Sequence, residues 1–99
     1  MSTSILCGEK KRAGGKLVKV CMRVSGDTVS SVIVTGDFFA EPEEVFERTL
    51  LNLSSARFDK SSASREIVDL IYRSGMRIYG VSLEDVREAV EKALSMQRD

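Results

Sequence analysis

The chain has 99 residues, 42% of them hydrophobic and 30% charged, with fifteen basic and fifteen acidic side chains and a formal net charge of zero. That is enough chain for one domain with a modest core, too apolar for extended disorder, and without a global charge that draws it to nucleic acid or an acidic membrane. Histidine is absent and there are only two cysteines, Cys7 and Cys21, so the commonest general base and a four-ligand zinc site are both excluded within one chain.

Residues 1–12 are polar and lack periodicity, and read as a flexible or extended entry. No apolar run reaches the roughly 18–20 residues of a membrane span, and none follows a basic start as in a signal peptide. A cytoplasmic location is expected, and Cys21 is read as a small buried or half-buried thiol, not a disulfide partner. From Leu17 the pattern alternates: Val18, Val20, Met22 and Val24 point one way, and Lys19, Cys21, Arg23 and Ser25 the other. This is a half-buried strand. Ser25–Thr28 (SGDT) is a turn, and VSSVIVT resumes the β pattern, so the two runs form an antiparallel hairpin.

The stretch VTGDFFAEP (Val34–Pro42) closes the second strand and opens a helix. Gly36 breaks the strand, Asp37 can tie the turn's backbone, and Pro42 suits a first helical position, followed by Glu43 and Glu44 where negative charge favours the helix dipole. Phe38 is assigned to the core beside Val34, and Phe39 to contact with another protein, since aromatic side chains dominate interface hot spots. Val45, Phe46, Leu50 and Leu53 mark the helix's apolar face. The polar stretch SSARFDKSSAS reads as a loop without a base to activate its serines. A second helix carries Ile67, Val68, Leu70 and Ile71 and stops at Gly75. RIYGVS is a short extended segment or loop. Ser82 and Asp85 form a capping-box-like start for a last helix, with Leu83, Val86, Val90, Ala93 and Leu94 inward and Glu88 paired to Lys92 outside. The expected architecture is α+β: an antiparallel hairpin of two or three strands packed against three helices, with residues 13–99 forming the domain.

Charge is unevenly spread. Residues 9–23 carry six basic side chains against one acid, a net +5, whereas residues 37–47 carry five acids and no base, a net −5. Two readings stand: solvated faces that attract each other, or a basic edge that meets an anionic ligand or partner. RAGGKL is not a P-loop, because Lys10 stands where its first glycine belongs and Leu17 where Ser or Thr must follow. Gly14 and Gly15 serve a turn before the strand, or let backbone N–H groups approach an anion with Lys16 adding charge. No catalytic residue and no metal ligand set emerges. A small nucleic-acid-binding hairpin or a general protein-interaction module is the alternative function, but no aromatic residue precedes Phe38 to stack on bases.

In GGKLVKV, VSSVIVTGDFFAEPEEV and the order of segments after them, the sequence resembles the accessory (C-terminal) domain of lipoate–protein ligases over residues 13–97. The matching positions are Gly15, Lys16, Gly36, Asp37, Phe38, Phe39 and Pro42. With no catalytic domain attached, the resemblance is to the split, archaeal-type arrangement, in which this part is a separate small subunit. It implies a heterodimer with a large catalytic subunit that binds lipoate, ATP and Mg2+, forms lipoyl-adenylate and passes the lipoyl group to a lysine of a carrier domain. It further implies that this chain binds no cofactor alone and is needed chiefly for adenylation. Gly14, Gly15 and Lys16 are the candidates to lie near the adenylate, and Gly36, Asp37, Phe38 and Phe39 the candidates for the partner interface. Neither nucleic acid nor membrane is an expected partner.

Overall fold

A computed structural model of the chain describes residues 3–96. The alternating run becomes β2 (Leu17–Ser25), which turns through Gly26 into β3 (Thr28–Gly36), and the two pair antiparallel from Val18·Gly36 to Ser25·Thr28. Val18, Val20, Met22 and Val24 are all essentially fully buried, at about 1.5–3 kcal/mol for each large side chain taken from water. Alternation in β3 breaks at Ser30–Ser31, leaving Val29 and Val32 three residues apart. A bulge absorbs the extra residue: the register shifts between Cys21 and Arg23, and Ser31 takes a φ of 53°. Val29, Val32 and Val34 thereby share the core face.

The segment expected to be a flexible or extended entry contains a strand, β1 (Thr3–Lys11), paired with β2 in nine unbroken antiparallel steps. Its alternation is concealed because its core face is Leu6, Gly8 and Lys10, of which only one is a large apolar side chain. Gly8 is buried for a steric reason: a Cβ there would stand 2.1 Å from the Ala89 carbonyl oxygen and 2.5 Å from the Ala93 nitrogen. The strand and the last helix touch backbone to backbone.

Register also corrects the cysteine reading. Cys7 lies directly opposite Cys21, with Cα atoms 4.1 Å apart, and the two are joined as a disulfide. Without a strand assigned before residue 12, Cys21 had no partner in reach.

After the corner, β4 (Phe39–Glu41) leads to α1 (Glu43–Ser55), with Pro42 as its N-cap residue and not its first helical one. The polar connector is not all loop: β5 (Arg57–Asp59) pairs with the start of β3 through Val29·Phe58 and buries Phe58. Helix α2 (Ala63–Arg73) buries Ala63, Ile67 and Ile71 and ends at Gly75, whose φ of 80° is the left-handed stop expected there. β6 (Arg77–Tyr79) pairs with β4 as a separate two-stranded sheet. α3 (Leu83–Ser95) starts with a complete capping box: the Ser82 hydroxyl accepts from the Asp85 amide at 3.1 Å, and the Asp85 carboxylate accepts from the Ser82 amide at 2.9 Å. The expected Glu88–Lys92 pair does not form. Glu88 meets Lys10 of β1 at 3.3 Å instead.

The fold is therefore α+β: a four-stranded antiparallel sheet in the order β1-β2-β3-β5, a second sheet of β4 and β6, and three helices. α3 lies beneath β1 and β2 and α1 beneath β3, while α2 packs on α3. The opposite face carries Ile5, Cys7, Cys21 and Ile33 uncovered by any described element, with Ile5 62% and Ile33 54% exposed.

Candidate functional site

Strand register brings together the two motifs that sequence alone kept apart. Val18 pairs with Gly36, and the Asp37 amide donates to the Leu17 carbonyl at 2.8 Å. Hence the Gly14–Lys16 turn and the Gly36–Phe39 corner lie at the same end of the sheet. Gly36 is dictated by this approach. Its φ is 152°, and a Cβ would stand 2.1 Å from the Leu17 carbonyl oxygen and 2.9 Å from Val18 Cα. From β6's side Gly80 closes on the corner, its added Cβ falling 3.2 Å from the Asp37 carbonyl oxygen.

The two phenylalanines part at this corner. Phe38 turns inward, half-buried against the core, with its ring edge-on to Phe46 at 6.0 Å and 81°. Phe39 is 63% exposed, and its ring stacks on Tyr79 at 5.0 Å and 22°. The Tyr79 hydroxyl donates to Glu41 Oε1 at 2.9 Å, which fixes the second ring. The product is a rigid exposed pair of aromatic faces beside Asp37 and Glu41. Tyr79 was not singled out from sequence; only the short alternating run RIY marked its strand. An open groove of about 590 Å³ runs along Ile71, Tyr72, Met76, Ile78 and Leu83, and neither Phe39 nor Tyr79 lines it.

The glycine–lysine turn is exposed. Gly14 and Gly15 take φ values of 93° and 90°, and nothing lies within 4 Å of a Cβ built on either. The Gly15 amide donates to the Arg12 carbonyl at 3.0 Å, so one of the two glycine N–H groups is already engaged within the turn. Two of the nearby cations are also engaged: Lys10 with Glu88, and Arg12 with Asp85 at 3.8 Å. The partners of the basic segment thus lie on α3. The acids of residues 37–47, which one reading matched to it, form no ion pair among the described residues. Lys11, Lys16, Lys19 and Arg23 form none there either.

A carboxyl whose titration is shifted lies away from the corner, on α3. On α3, Arg87 binds Glu84 through Nε at 3.1 Å and Glu91 through Nη1 at 2.7 Å. The hydrogen bond from Arg87 holds the Glu84 carboxyl below its ordinary range, and Glu84 in turn raises the Arg87 guanidinium. This trio faces solvent and leaves the corner untouched. Among the described residues no three Asp, Glu, Cys or His side chains converge to hold a metal ion, and no helix is long and apolar enough to cross a membrane.

Fold and corner together define a two-layer α+β domain that presents stacked aromatic rings at one end of its sheet and an open edge at its side. No family model and no curated protein matches the chain. Among solved structures, a chain from the archaeal lipoylation system of Thermoplasma acidophilum, described as a bi-partite lipoate protein ligase and its E2 lipoyl domain, has the same fold. The TM-score is 0.68 at 22% identity, over 90% of this chain and 97% of that one.

Proposed function

We propose that this chain is the accessory subunit of a bipartite lipoate–protein ligase, working in the cytoplasm as a heterodimer with a large catalytic subunit. The observation that carries the reading is a coincidence of fold and motif. The chain has the fold of a chain from a bipartite ligase structure along nearly its whole length, and the Gly-Asp-Phe-Phe corner that underlies the sequence resemblance carries Phe39 stacked on Tyr79 and turned outward. In this reading the partner binds lipoate and ATP and forms lipoyl-adenylate before the lipoyl group passes to a carrier-domain lysine. Magnesium, in the same reading, is bound by that partner. The small subunit makes the adenylation step competent by assembling against the catalytic chain. Lys16, exposed beside the corner, supplies positive charge toward the adenylate's phosphate. The Cys7–Cys21 bridge is compatible with a cytoplasmic setting of the kind found in heat-loving archaea, whose intracellular proteins are disulfide-rich.

Co-purification with the catalytic lipoate ligase chain of the same organism tests the assembly, and Lys16→Ala tests the charge. The reading expects a stable one-to-one complex, and slower adenylation by the Lys16→Ala complex. A complex that adenylates normally with Lys16→Ala removes Lys16 from the site. Failure of any complex to form removes the subunit reading.

A further inference from the structure

The two edges of the four-stranded sheet are finished differently. At one edge, β5 is three residues long, and a short edge offers little to an incoming strand. At the other, β1 runs nine residues without proline or register break, and no described strand lies against its outer side.

Hydrogen-bond parity says which groups that edge presents. In an antiparallel pair, residues opposite one another alternate between hydrogen-bonded pairs, with Cα atoms about 5.5 Å apart, and non-bonded pairs at about 4.5 Å. Cys7 and Cys21 are opposite at 4.1 Å, a non-bonded pair. Arg12, one step past the strand, donates its amide to the Lys16 carbonyl at 2.6 Å, which makes the even positions the bonded ones. Both observations give one parity. Leu6, Gly8 and Lys10 turn their backbone groups toward β2, whereas Thr3, Ile5, Cys7, Glu9 and Lys11 turn theirs away from it. Five residues therefore direct amides and carbonyls outward in a row.

The ground beside this edge is prepared for one more strand. α3 makes its most extensive sheet contact with β1, the last strand, and not with the sheet's centre. On the other face, exposed Ile5 and the half-buried Cys7–Cys21 bridge form an apolar strip. At the hairpin end, Lys11 and Lys16 are exposed and form no ion pair among the described residues.

We propose that β1 is extended by a strand of the catalytic partner: an extended segment with apolar side chains over Ile5 and the cysteine bridge and an acidic side chain at the Lys11 end. The occupant's chemistry follows from what it must match. Outward main-chain groups at alternate residues are satisfied by another β-backbone, and the cationic end selects a carboxylate. A second copy of this chain brings no acid to that end: antiparallel pairing centred on Cys7 sets Lys11 opposite Thr3 of the other copy. The proposal rests on the ligase reading and adds a second surface, besides the Phe39–Tyr79 corner, that the catalytic subunit holds.

The test is amide hydrogen exchange on the free chain and on its complex with the catalytic lipoate ligase chain of the same organism. In the free chain, the amides of Leu6, Gly8 and Lys10 are expected to exchange slowly and those of Ile5, Cys7 and Glu9 fast. On complex formation the latter three become protected. A variant pair supplies an independent reading. Glu9→Pro removes an outward N–H without breaking the ladder to β2, as edge prolines do, so the free chain stays folded. It is expected to weaken the complex about tenfold or more, while Glu9→Ala, which keeps the N–H, changes affinity by less than about threefold. A complex that forms with Ile5, Cys7 and Glu9 still exchanging fast overturns the strand pairing and leaves the ligase reading standing. No complex at all overturns both. Protection of the same amides at high concentration of the chain alone, with a doubled mass, assigns the edge to a second copy and also overturns the proposal.

Discussion

Gly36→Ala is the sharpest perturbation of the corner, because two separate costs fall on one methyl group. The backbone there has a φ of 152°, a region in which a residue with a side chain is strained by about 1–3 kcal/mol. The methyl would also stand 2.1 Å from the Leu17 carbonyl oxygen and 2.9 Å from Val18 Cα. Both atoms are backbone, so no side chain can swing aside, and overpacking of this kind costs about 1–3 kcal/mol. Relief requires parting β2 from β3 at the Val18·Gly36 pair, which gives up the Asp37–Leu17 hydrogen bond that holds the corner. The sum is about 2–6 kcal/mol, and with about 4–8 °C per kcal/mol for a domain near 100 residues, the midpoint falls by at least about 8 °C. Gly26→Ala provides the comparison: its φ is 59° and nothing lies within 4 Å of the added Cβ, so only the left-handed conformation is charged, at about 1–2 kcal/mol. Urea unfolding followed by circular dichroism measures both. If Gly36→Ala is no less stable than Gly26→Ala, the close approach of β2 to the corner is wrong.

Three further outcomes follow from the geometry. Phe38→Ala should cost about 2–3 kcal/mol, below the range for a fully buried ring, whereas Phe39→Ala should cost about 1 kcal/mol, the value of the stack on Tyr79. In binding to the catalytic chain the order reverses at matched folded fraction, with Phe39→Ala the weaker binder by calorimetry; equal affinity for the two would remove Phe39 as an anchor. Asp85→Ala removes the α3 capping box and the partner of Arg12 together and should cost about 1–2 kcal/mol in urea unfolding, more than Arg12→Ala, which leaves the cap in place. On α3, Glu84 has its folded-state carboxyl held below its ordinary value of 4.5 by Arg87. A depressed carboxyl stabilises the fold above its unfolded value and loses that contribution as pH falls through the folded one. The stability difference between the native chain and Arg87→Ala should therefore be small but present at neutral pH and shrink below 4.5; a difference that grows on acidification contradicts the pairing.

Where a residue's own pattern determined its place, the sequence was legible. The Val18–Val24 alternation, the turn at Gly26, the capping box at Ser82 and Asp85 and the stop at Gly75 each carry a local physical signature, and each stands where its signature puts it. So do the inward turn of Phe38 and the outward turn of Phe39, since only one ring can follow Val34 onto the core face. What was illegible depended on a partner distant in the chain. β1 has glycine and lysine on its core face, because Gly8 admits the α3 backbone and Lys10 reaches Glu88. With β1 unseen, the Cys7–Cys21 bridge was unseen as well. β5 hides in a serine-rich stretch because three residues are too few to show a period, and Phe58 alone marks it. Tyr79 joins the candidate site only through the β4·β6 pairing, thirty-eight residues from the Glu41 that fixes it.

On the proposed reading, this chain makes lipoate activation possible without performing it. Pyrophosphate release on lipoyl-adenylate formation, measured for the catalytic chain with and without this one, tests that directly. The account predicts little adenylation by either chain alone and robust adenylation once they are mixed in equal amounts. Undiminished adenylation by the catalytic chain without this subunit would contradict it.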